Sequence, residues 1–259
     1  MARDVTSVIS RTDLLIERLF KGIDNDNIYL IIGASGLGKT SLVLCQIPSF
    51  LYVMLKSRGE LTGDSKFILV NTDMSFKEKR LRDVCECFGV NYEEFKKHLM
   101  IHNLMSQNEQ HSFIMNALPK IVSSNRDNIK YIAIDPINHH IRQEFAKADA
   151  NYRLNVAGRT MPQLEAEMNV LKELNVKYRI PIFITCLPKK RSANQIPIRW
   201  QTEMFAPLEV PHLSDVAVWL AQDEHNVNRV LAKRLKHRTE ELSETFTLIK
   251  CREGLIVEH

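Results

Sequence analysis

Short apolar runs alternate with longer amphipathic segments along most of the chain. Five runs rich in isoleucine, valine, leucine and aromatic residues predict strands, at Ile28 to Ile32, Phe67 to Thr72, Leu99 to Leu104, Tyr131 to Ile134 and Pro181 to Cys186. Polar residues rarely interrupt these runs, which is typical of strands that are covered on both faces. The intervals between them are long enough for helices, so the pattern predicts an α/β fold with a largely parallel sheet flanked by helices.

The interval from Pro162 to Arg179 shows helical spacing most clearly. Leucine and methionine recur there every three or four positions, whereas glutamate and lysine occupy the positions between them. The spacing predicts a helix over this interval with one face in the core.

The pattern changes after Cys186. An irregular stretch runs to Pro211, and strand-like segments then follow without intervening helices, at Val216 to Leu220, Arg229 to Leu235 and Phe246 to Cys251. Strands joined without a helix favour antiparallel pairing, so we expect an antiparallel C-terminal extension of the sheet. No linker, low-complexity tract or internal repeat divides the sequence, which favours a single domain over residues 1–259.

Composition narrows the class of protein. The 259 residues are 44% hydrophobic and 25% charged, which is ordinary for a folded protein and excludes a disordered or fibrous one. The longest apolar candidate, Ile47 to Leu55, is shorter than a membrane span and contains Pro48. The N-terminus lacks the features of a secretory signal, so we expect a cytoplasmic protein. The five cysteines form no Cys-x-x-Cys pair, which argues against a disulfide framework or a zinc site.

A glycine-rich loop follows the first predicted strand and precedes a helical pattern. Its sequence fits G-x-x-x-x-G-K-[ST], in which glycines let backbone N–H groups turn toward phosphate oxygens. The helix that follows directs its positive end toward the same anion. We therefore predict a nucleotide-binding segment formed by Gly33, Ala34, Ser35, Gly36, Leu37, Gly38, Lys39, Thr40 and Ser41. The alternative is an ordinary glycine-rich turn between a strand and a helix.

Four side chains are candidates for the chemistry of this loop. Lys39 would contact the β- and γ-phosphates of ATP, and Thr40 would bind Mg²⁺. Asp135 ends a predicted strand and would bind the same metal, unless it is an ordinary strand-end turn residue. Asp73 also follows a strand and would orient or deprotonate the attacking water, with a helix cap or turn as the alternative. Lys39 and Asp73 are thus the candidate catalytic residues, and Thr40 and Asp135 the candidate metal ligands.

The residues that follow the second predicted strand resemble a known family. Asn71-Thr72-Asp73-Met74-Ser75-Phe76-Lys77-Glu78-Lys79-Arg80-Leu81 is similar, without gaps, to the segment D-T-E-G-T-F-R-P-E-R-L of the RecA/RadA recombinase ATPases. The likeness extends from about Thr12 to Val257 and is greatest to a short archaeal RadA paralogue with only the core ATPase domain. It implies a P-loop RecA-like core in which the strand Pro181 to Cys186 lies between the phosphate-loop strand and the strand ending at Asp135.

The resemblance also implies roles for single residues. Asp73 stands where the family has its catalytic glutamate, and Arg80 stands where an arginine packs on the adenine. Because Asp73 is one methylene shorter than glutamate, we expect slow hydrolysis. Leu187 stands where the family has a glutamine that senses the γ-phosphate, and leucine cannot make those hydrogen bonds.

Two DNA-binding loops are a further implication of the resemblance. The first would fall within Ile137 to Thr160, where a solvated crossover with ordinary charges is the alternative. The second, Pro188 to Pro211, combines cations with an indole that would stack on a base, and the alternative is a flexible solvated loop. The DNA contacts predicted there are Lys189, Lys190, Arg191, Arg199 and Trp200. A basic run at Arg229 to Arg238 would add a cationic stripe on one strand face.

One leading hypothesis and one alternative follow. The leading hypothesis is an ATP-binding, weakly hydrolysing recombinase paralogue that binds single-stranded DNA and modulates recombination and repair by assisting or restraining the main recombinase. In the alternative, ATP is a structural ligand of a mediator or scaffold protein with little ATPase activity. A small-molecule kinase is disfavoured because no acceptor-site or lid segment is apparent. Long self-made filaments are not expected, because no phenylalanine-based polymerisation element precedes the core.

Overall fold

The computed structural model describes residues 4–189, 195–239 and 244–258. The strands of these residues form one mixed sheet. Nine strands of the described residues form this sheet: β1 (Ile28–Gly33), β2 (Lys66–Asn71), β3 (Leu99–Asn103), β4 (Ile129–Asp135), β5 (Ile182–Cys186), β6 (Val216–Gln222), β7 (Arg229–Lys236), β8 (Phe246–Cys251) and β9 (Gly254–Val257). Their order across the sheet is β3-β2-β4-β5-β1-β6-β7-β8-β9.

The strand pairing confirms the predicted fold class. All pairs from β3 to β6 are parallel, and β7, β8 and β9 continue the sheet in antiparallel pairs. β5 lies between β1 and β4, as the resemblance implied. The antiparallel extension begins one strand later than predicted, because β6 pairs in parallel with β1. The sequence gives no sign of β9, since four residues are too few for a recognisable pattern.

Helices cover both faces of the sheet. Those of the described residues are Val5–Phe20, Lys39–Ser57, Glu78–Cys87, Tyr92–Lys96, residues 107–124, His139–Lys147, Arg153–Tyr178, Trp200–Glu203 and Glu209–Leu213. The helix Lys39–Ser57, which directly follows the glycine-rich loop, is called the phosphate-loop helix below.

Prolines do not end the helices where the sequence suggests. The helix predicted from Pro162 begins nine residues earlier, at Arg153, because the upstream residues Val156 and Thr160 bury their side chains in the core. In the phosphate-loop helix, Pro48 follows a widened turn at Leu42–Gln46. Proline lacks an N–H and clashes with the carbonyl four residues before it, and the wider turn relieves that clash.

The sheet separates two apolar layers. The helix Val5–Phe20, the phosphate-loop helix and the helix Glu78–Cys87 pack on one face. Residues 107–124 and the long helix Arg153–Tyr178 pack on the other face. Burial on both faces explains why the parallel strands read as unbroken apolar runs, and it makes the sheet a rigid support for the residues at its carboxyl edge.

One helix of the described residues, the phosphate-loop helix, is long and apolar enough to cross a membrane by length and composition. This corrects the expectation of a short apolar run, because the helix continues through Pro48. However, 56% of that segment is buried inside the fold, and its Val43 carbonyl accepts a hydrogen bond from Tyr131 of β4 at 2.7 Å. These contacts are those of a core helix.

Candidate functional site

The predicted phosphate loop leaves the carboxyl end of β1, near the middle of the sheet. Gly36 and Gly38 have φ angles of +83° and +87°, in the left-handed region that disfavours any residue with a side chain. Gly38 directly precedes the phosphate-loop helix, so the N–H groups of its first turn point toward the loop. The local conformation is that of a strand, a tight loop and a helix N-terminus, the arrangement that binds phosphate.

Lys39 folds back over this loop. Its side chain is 6% exposed, and Nζ donates hydrogen bonds of 2.7 Å to the carbonyls of Gly33 and Ala34. Burial lowers the pKa of Lys39 to about 8, although the nearby carboxylate of Asp135 opposes the shift. An anion in the loop would offer the ammonium group stronger acceptors than these two neutral carbonyls.

Oxygen ligands converge beside Lys39. Thr40 Oγ1 donates to Asp135 Oδ2 at 2.5 Å and lies 3.1 Å from Ser75 Oγ. Thr185 of β5 donates to the other carboxylate oxygen of Asp135. Burial raises the pKa of Asp135, and the hydrogen bonds from Thr185 and Thr40 oppose that rise. A buried carboxylate with two neighbouring hydroxyl groups is a donor set that fits Mg²⁺, so Thr40 and Asp135 would hold the ion.

Asp73 lies at the same edge of the sheet, because β2 pairs with β4 and Asn71 is in register with Asp135. Thr72 fixes the connection: its N–H donates to the Asp135 carbonyl at 2.9 Å, and its hydroxyl donates to the Pro136 carbonyl at 2.6 Å. Asp73 itself accepts a hydrogen bond from the Ser75 N–H at 2.9 Å, which closes a tight turn. The turn keeps the carboxylate close to the loop and occupies one of its oxygens.

These residues surround a cavity of about 380 Å³, a size typical of small-molecule sites. Its lining residues include Ser35, Gly36, Gly38, Lys39, Thr40, Ser41, Asp73, Ser75, Arg80, Asp135 and Leu187. The structure thus brings the predicted loop, both predicted acids and Arg80 together in one place.

Arg80 enters the cavity from the helix Glu78–Cys87. Its Nε donates to Ser41 Oγ at 2.9 Å, and its two terminal nitrogens donate to the carbonyls of Arg252 at 2.8 Å and Cys251 at 3.1 Å. The guanidinium is therefore bridged between the phosphate-loop helix and the turn that joins β8 to β9. The sequence gives no signal for this contact, because backbone carbonyls are present at every residue.

Leu187 follows β5 and borders the cavity with an apolar side chain. Its backbone is held by Asn138, whose Oδ1 accepts from the Leu187 N–H at 2.9 Å and whose Nδ2 donates to the Leu187 carbonyl at 2.9 Å. The side chain of Asn138 therefore holds the backbone at the end of β5.

The second predicted DNA loop is only partly described. Lys190 and Arg191 lie outside the described residues. Lys189 donates from Nζ to the Thr202 carbonyl at 2.5 Å, and Arg199 is exposed. The stacking role predicted for Trp200 is wrong, because the indole is 6% exposed and belongs to the core under this segment. A tryptophan in a basic stretch is ambiguous in sequence, since burial and base stacking both favour a large flat side chain.

The first predicted DNA loop is largely helical. The helix His139–Lys147 and the first turns of Arg153–Tyr178 occupy most of Ile137 to Thr160. Within it, Arg159 forms an ion pair with Glu144. The non-helical part of this range is short, mainly residues 148–152, and the binding of DNA there stays a prediction.

The predicted cationic stripe on β7 does not form. Arg234 is buried and donates to a backbone carbonyl of the first helix at 3.3 Å. Lys236 donates to carbonyls at the end of the helix Glu209–Leu213, and Arg229 pairs with Glu258. Regular alternation would put Arg234 and Lys236 on one face, but the β6–β7 register shifts opposite them, so Arg234 contacts the first helix and Lys236 contacts the helix Glu209–Leu213.

Comparison with known proteins agrees with the geometry. A sequence model of the Rad51 family matches residues 4–199, which is more than half of the chain. The DNA repair and recombination protein RadA of Aeropyrum pernix is 30% identical over 132 residues, which cover 51% of this chain and 39% of the relative. The protein of the same name from Ignicoccus hospitalis is 25% identical over 170 residues, which cover 63% and 48%. The match thus spans less than half of the length of either relative.

Proposed function

This chain belongs to the Rad51 family, and from that premise we propose that it binds ATP with Mg²⁺, hydrolyses it slowly and binds single-stranded DNA in homologous recombination and repair. It would act beside a main recombinase, which it assists or restrains. The resemblance to RadA supports this role, and the site supports the nucleotide chemistry.

The convergence of Lys39, Thr40 and Asp135 carries the proposal. A phosphate loop alone would bind any anion, whereas the hydroxyl of Thr40 at 2.5 Å from Asp135 adds a metal site at the end of the loop. A triphosphate with Mg²⁺ matches both features, because the loop and Lys39 would hold the phosphates, and Thr40 and Asp135 would hold an ion that offsets the phosphate charge.

Two side chains that line the cavity lead us to expect slow hydrolysis. Asp73 is shorter than glutamate, and its Oδ1 already accepts the Ser75 N–H at 2.9 Å. Leu187 offers no hydrogen bond to a phosphate. Small errors in the position of a catalytic group reduce rates steeply, so we expect a low basal rate that DNA increases.

The ATPase assay with and without single-stranded DNA tests this proposal. We expect a slow basal rate, a clear increase on addition of DNA, and loss of both in Lys39→Ala. If the protein binds ATP but hydrolyses none under either condition, the proposed ATPase activity is contradicted. The second candidate function, described next, would then remain.

The second candidate is an interaction protein in which ATP is a structural ligand. The same two features, the engaged carboxylate of Asp73 and the apolar Leu187, favour it. This candidate predicts tight ATP binding, no stimulation by DNA, and nucleotide-dependent association with a protein partner.

DNA binding is proposed for the segment around Lys189 and Arg199. Replacing Lys189, Lys190 and Arg191 together by alanine should weaken binding and reduce the slope of log affinity against log salt by about 2, at about 0.7 per cation on single strands. Filter binding across a salt series measures this slope. Replacing the surface lysines Lys56, Lys96 and Lys97 is the matched control, and an equal loss there would contradict a local DNA site.

A further inference from the structure

Asn138 follows closely after Asp135 and bonds two segments of the backbone at once. Its side chain is fully buried. Its Nδ2 donates to the carbonyls of Leu187 and Phe205, both at 2.9 Å, and its Oδ1 accepts the Leu187 N–H at 2.9 Å. A primary amide has two N–H donors and a carbonyl acceptor, and these bonds use all three. The side chain is therefore committed to joining the two segments.

The two segments that Asn138 joins also pair with each other and form a neck, which consists of residues 187–189 and 203–205. The Lys189 N–H donates to the Glu203 carbonyl at 2.7 Å, and the Phe205 N–H donates across the same pair of segments at 3.4 Å. This antiparallel pairing stands apart from the strands of the sheet. So short a pair is not stable alone in water, and the neck therefore depends on the group that holds it.

The turn that joins Asp135 to Asn138 is itself fixed. The Ile137 N–H donates to the Thr185 carbonyl at 3.0 Å, and the Ile137 carbonyl accepts from Gln110 Nε2 at 2.8 Å. The first bond attaches the turn to β5, and the second attaches it to the helical layer on one face of the sheet. Asn138 therefore stands at a fixed place relative to the nucleotide cavity, which Asp135 lines.

Two cations and an apolar anchor lie at the base of the segment that the neck closes. Lys189 belongs to the neck, and its Nζ donates to the Thr202 carbonyl at 2.5 Å. Arg199 is exposed and directly precedes Trp200, whose indole is buried in the core. The neck and the buried tryptophan thus determine where both cations stand. Cations that are already in place bind a phosphate chain more tightly than cations that must be ordered on binding.

We propose that Asn138 is a positioning residue for DNA binding, which holds the neck closed and thereby places Lys189 and Arg199 to neutralise phosphates of a single strand. The inference rests on the proposed binding of DNA. Because Asn138 is buried, it acts through the neck and not by contact with DNA.

Loss of this amide should loosen the neck without disturbing the phosphate loop, because the loop follows β1 whereas the neck follows β5. The affinity for DNA should then fall while the affinity for ATP stays nearly constant. The salt dependence of DNA binding should fall as well, because cations that are no longer held in place displace fewer counterions from the DNA.

A second buried asparagine provides a matched control. Asn175 is fully buried at the amino end of the parallel strands, and its Nδ2 donates to the carbonyls of Asn25, Asn27 and Ile180. Its loss should destabilise the fold about as much as the loss of Asn138, since each change leaves buried backbone carbonyls without a donor. Asn175→Ala therefore shows what the loss of a purely structural asparagine does to DNA binding.

Fluorescence anisotropy with a labelled oligothymidylate measures DNA affinity across a salt series, with Mg²⁺ and a nonhydrolysable ATP analogue present. The variants are Asn138→Ala, which removes the amide, and Asn138→Asp, which keeps the shape but sets a carboxylate against two carbonyls. Asn175→Ala is measured beside them. Calorimetry gives the ATP affinity of each protein, and thermal denaturation without ligand gives its stability.

We expect Asn138→Ala and Asn138→Asp to weaken DNA binding about tenfold. The slope of log affinity against log salt should fall by about 1, at about 0.7 per cation on single strands. The ATP affinity of both variants should stay within about twofold of the wild-type value, as should the DNA affinity of Asn175→Ala.

A double-mutant cycle tests whether Asn138 acts through the two cations. Lys189→Ala/Arg199→Ala removes the charges that the neck places. Adding Asn138→Ala to this protein should weaken DNA binding by less than about threefold, because both changes act on the same contacts with DNA.

A disulfide across the neck tests whether closure alone restores DNA binding. Pro188 and Met204 face each other between the two backbone hydrogen bonds of the neck, where opposite side chains lie closest. Pro188→Cys/Met204→Cys in the Asn138→Ala chain should therefore form a disulfide, which peptide mapping verifies. The oxidised protein should recover DNA affinity to within about threefold of wild type, and a reductant should remove the gain. This protein also allows the test if Asn138→Ala alone does not fold.

Unchanged DNA affinity in Asn138→Ala, an equal loss in Asn175→Ala, additive effects in the cycle, or no recovery in the disulfide-bonded protein would overturn the inference while the wild-type protein still binds DNA. An equal loss of ATP and DNA affinity would also overturn it, because the turn and not the neck would then have failed. Wild-type protein that binds no DNA would overturn the proposed DNA binding, and the inference with it. The two failures are therefore distinguishable.

Discussion

Met74 holds a backbone conformation that its side chain disfavours. Its φ angle is +58°, in the left-handed region, and it directly follows Asp73. The recombinase segment that this stretch resembles has glycine at the same position. A side chain in this region costs roughly 1–2 kcal/mol. The turn beside the cavity therefore has a backbone conformation that suits glycine, although methionine occupies the position.

Met74→Gly should therefore stabilise the protein by about 1 kcal/mol, because the relief of strain exceeds the entropy that glycine adds to the unfolded chain. The side chain is 43% exposed, so little packing is lost. Urea denaturation measures the change. Met105→Gly is the control, since Met105 is exposed without a positive φ, and it should destabilise. Destabilisation of equal size in both variants would contradict the strain.

The length of Asp73 should limit the ATPase rate. Asp73→Glu lengthens this cavity-lining side chain by one methylene and should raise the rate constant of the chemical step about tenfold, since errors of 1 Å reduce rates by about a hundredfold. ATP affinity should change little, because binding depends on the loop. A single-turnover assay measures the chemical step. A rate below that of the wild-type protein would show that the Ser75 hydrogen bond, not the length, determines the position.

At the scale of the elements, the hairpin formed by β8 and β9 packs closely against the phosphate-loop helix at Gly254. Gly254 has a φ angle of +132°, and a Cβ there would lie 2.1 Å from Oε1 of Gln46. The side chain of Gln46 is buried and bonds both backbone groups of Leu255, so it has no space to move aside.

Gly254→Ala should lower the free energy of unfolding by about 2–4 kcal/mol, through the clash, the disfavoured φ and the lost hydrogen bonds. Gln46→Ala in the same chain should recover part of this loss, and a double-mutant cycle measures the coupling. Gly63→Ala is the control, because nothing lies within 4 Å of a Cβ there and its φ is not positive. Additive effects of the two changes would contradict the contact.

The helix Arg153–Tyr178 buries one carboxyl group against residues 107–124. Glu167 accepts hydrogen bonds from Gln107 at 3.2 Å and Gln110 at 2.8 Å, and it lies 3.1 Å from His111 Nδ1. Burial raises its pKa from 4.5 to about 8. Between these values the native state keeps a proton that the unfolded state has lost, so Glu167 makes the protein less stable as pH rises.

Glu167→Gln should remove this dependence, because glutamine keeps the shape and the polar contacts without titrating. The stability of the variant relative to the wild-type protein should increase by about 1 kcal/mol per pH unit between pH 5 and pH 7.5. Urea denaturation at several pH values measures the slope. Parallel curves for the two proteins would show that Glu167 titrates normally.

Across the whole molecule, the sequence predicted the sheet well because its signals are local. Buried parallel strands read as apolar runs, and the loop from Gly33 to Thr40 has fixed spacing. The roles of the basic stretches were predicted less well, because the sequence does not show which group each cation binds in the folded protein. Lys236 binds backbone carbonyls, and Trp200 lies in the core, although both stand in basic stretches.

The candidate site shows the same division. Lys39, Thr40, Asp73 and Asp135 are brought together as the sequence predicts, since the ends of parallel strands meet at one edge. The support from Thr185 and the position of the β8–β9 turn escaped prediction. Both depend on contacts between segments that are distant in sequence. Arg80 contacts the turn through backbone carbonyls, which are present at every residue and therefore leave no sequence pattern.

Titration of Mg²⁺ and ATP into the wild-type protein and Lys39→Ala tests the central claim most directly. We predict saturable ATP binding that requires Mg²⁺, and a loss of at least about a hundredfold in the variant, because charged hydrogen bonds to phosphate contribute about 1.5–3 kcal/mol each. The variant should retain its fold in thermal denaturation. Equal ATP affinity in the two proteins would contradict a nucleotide site at this loop.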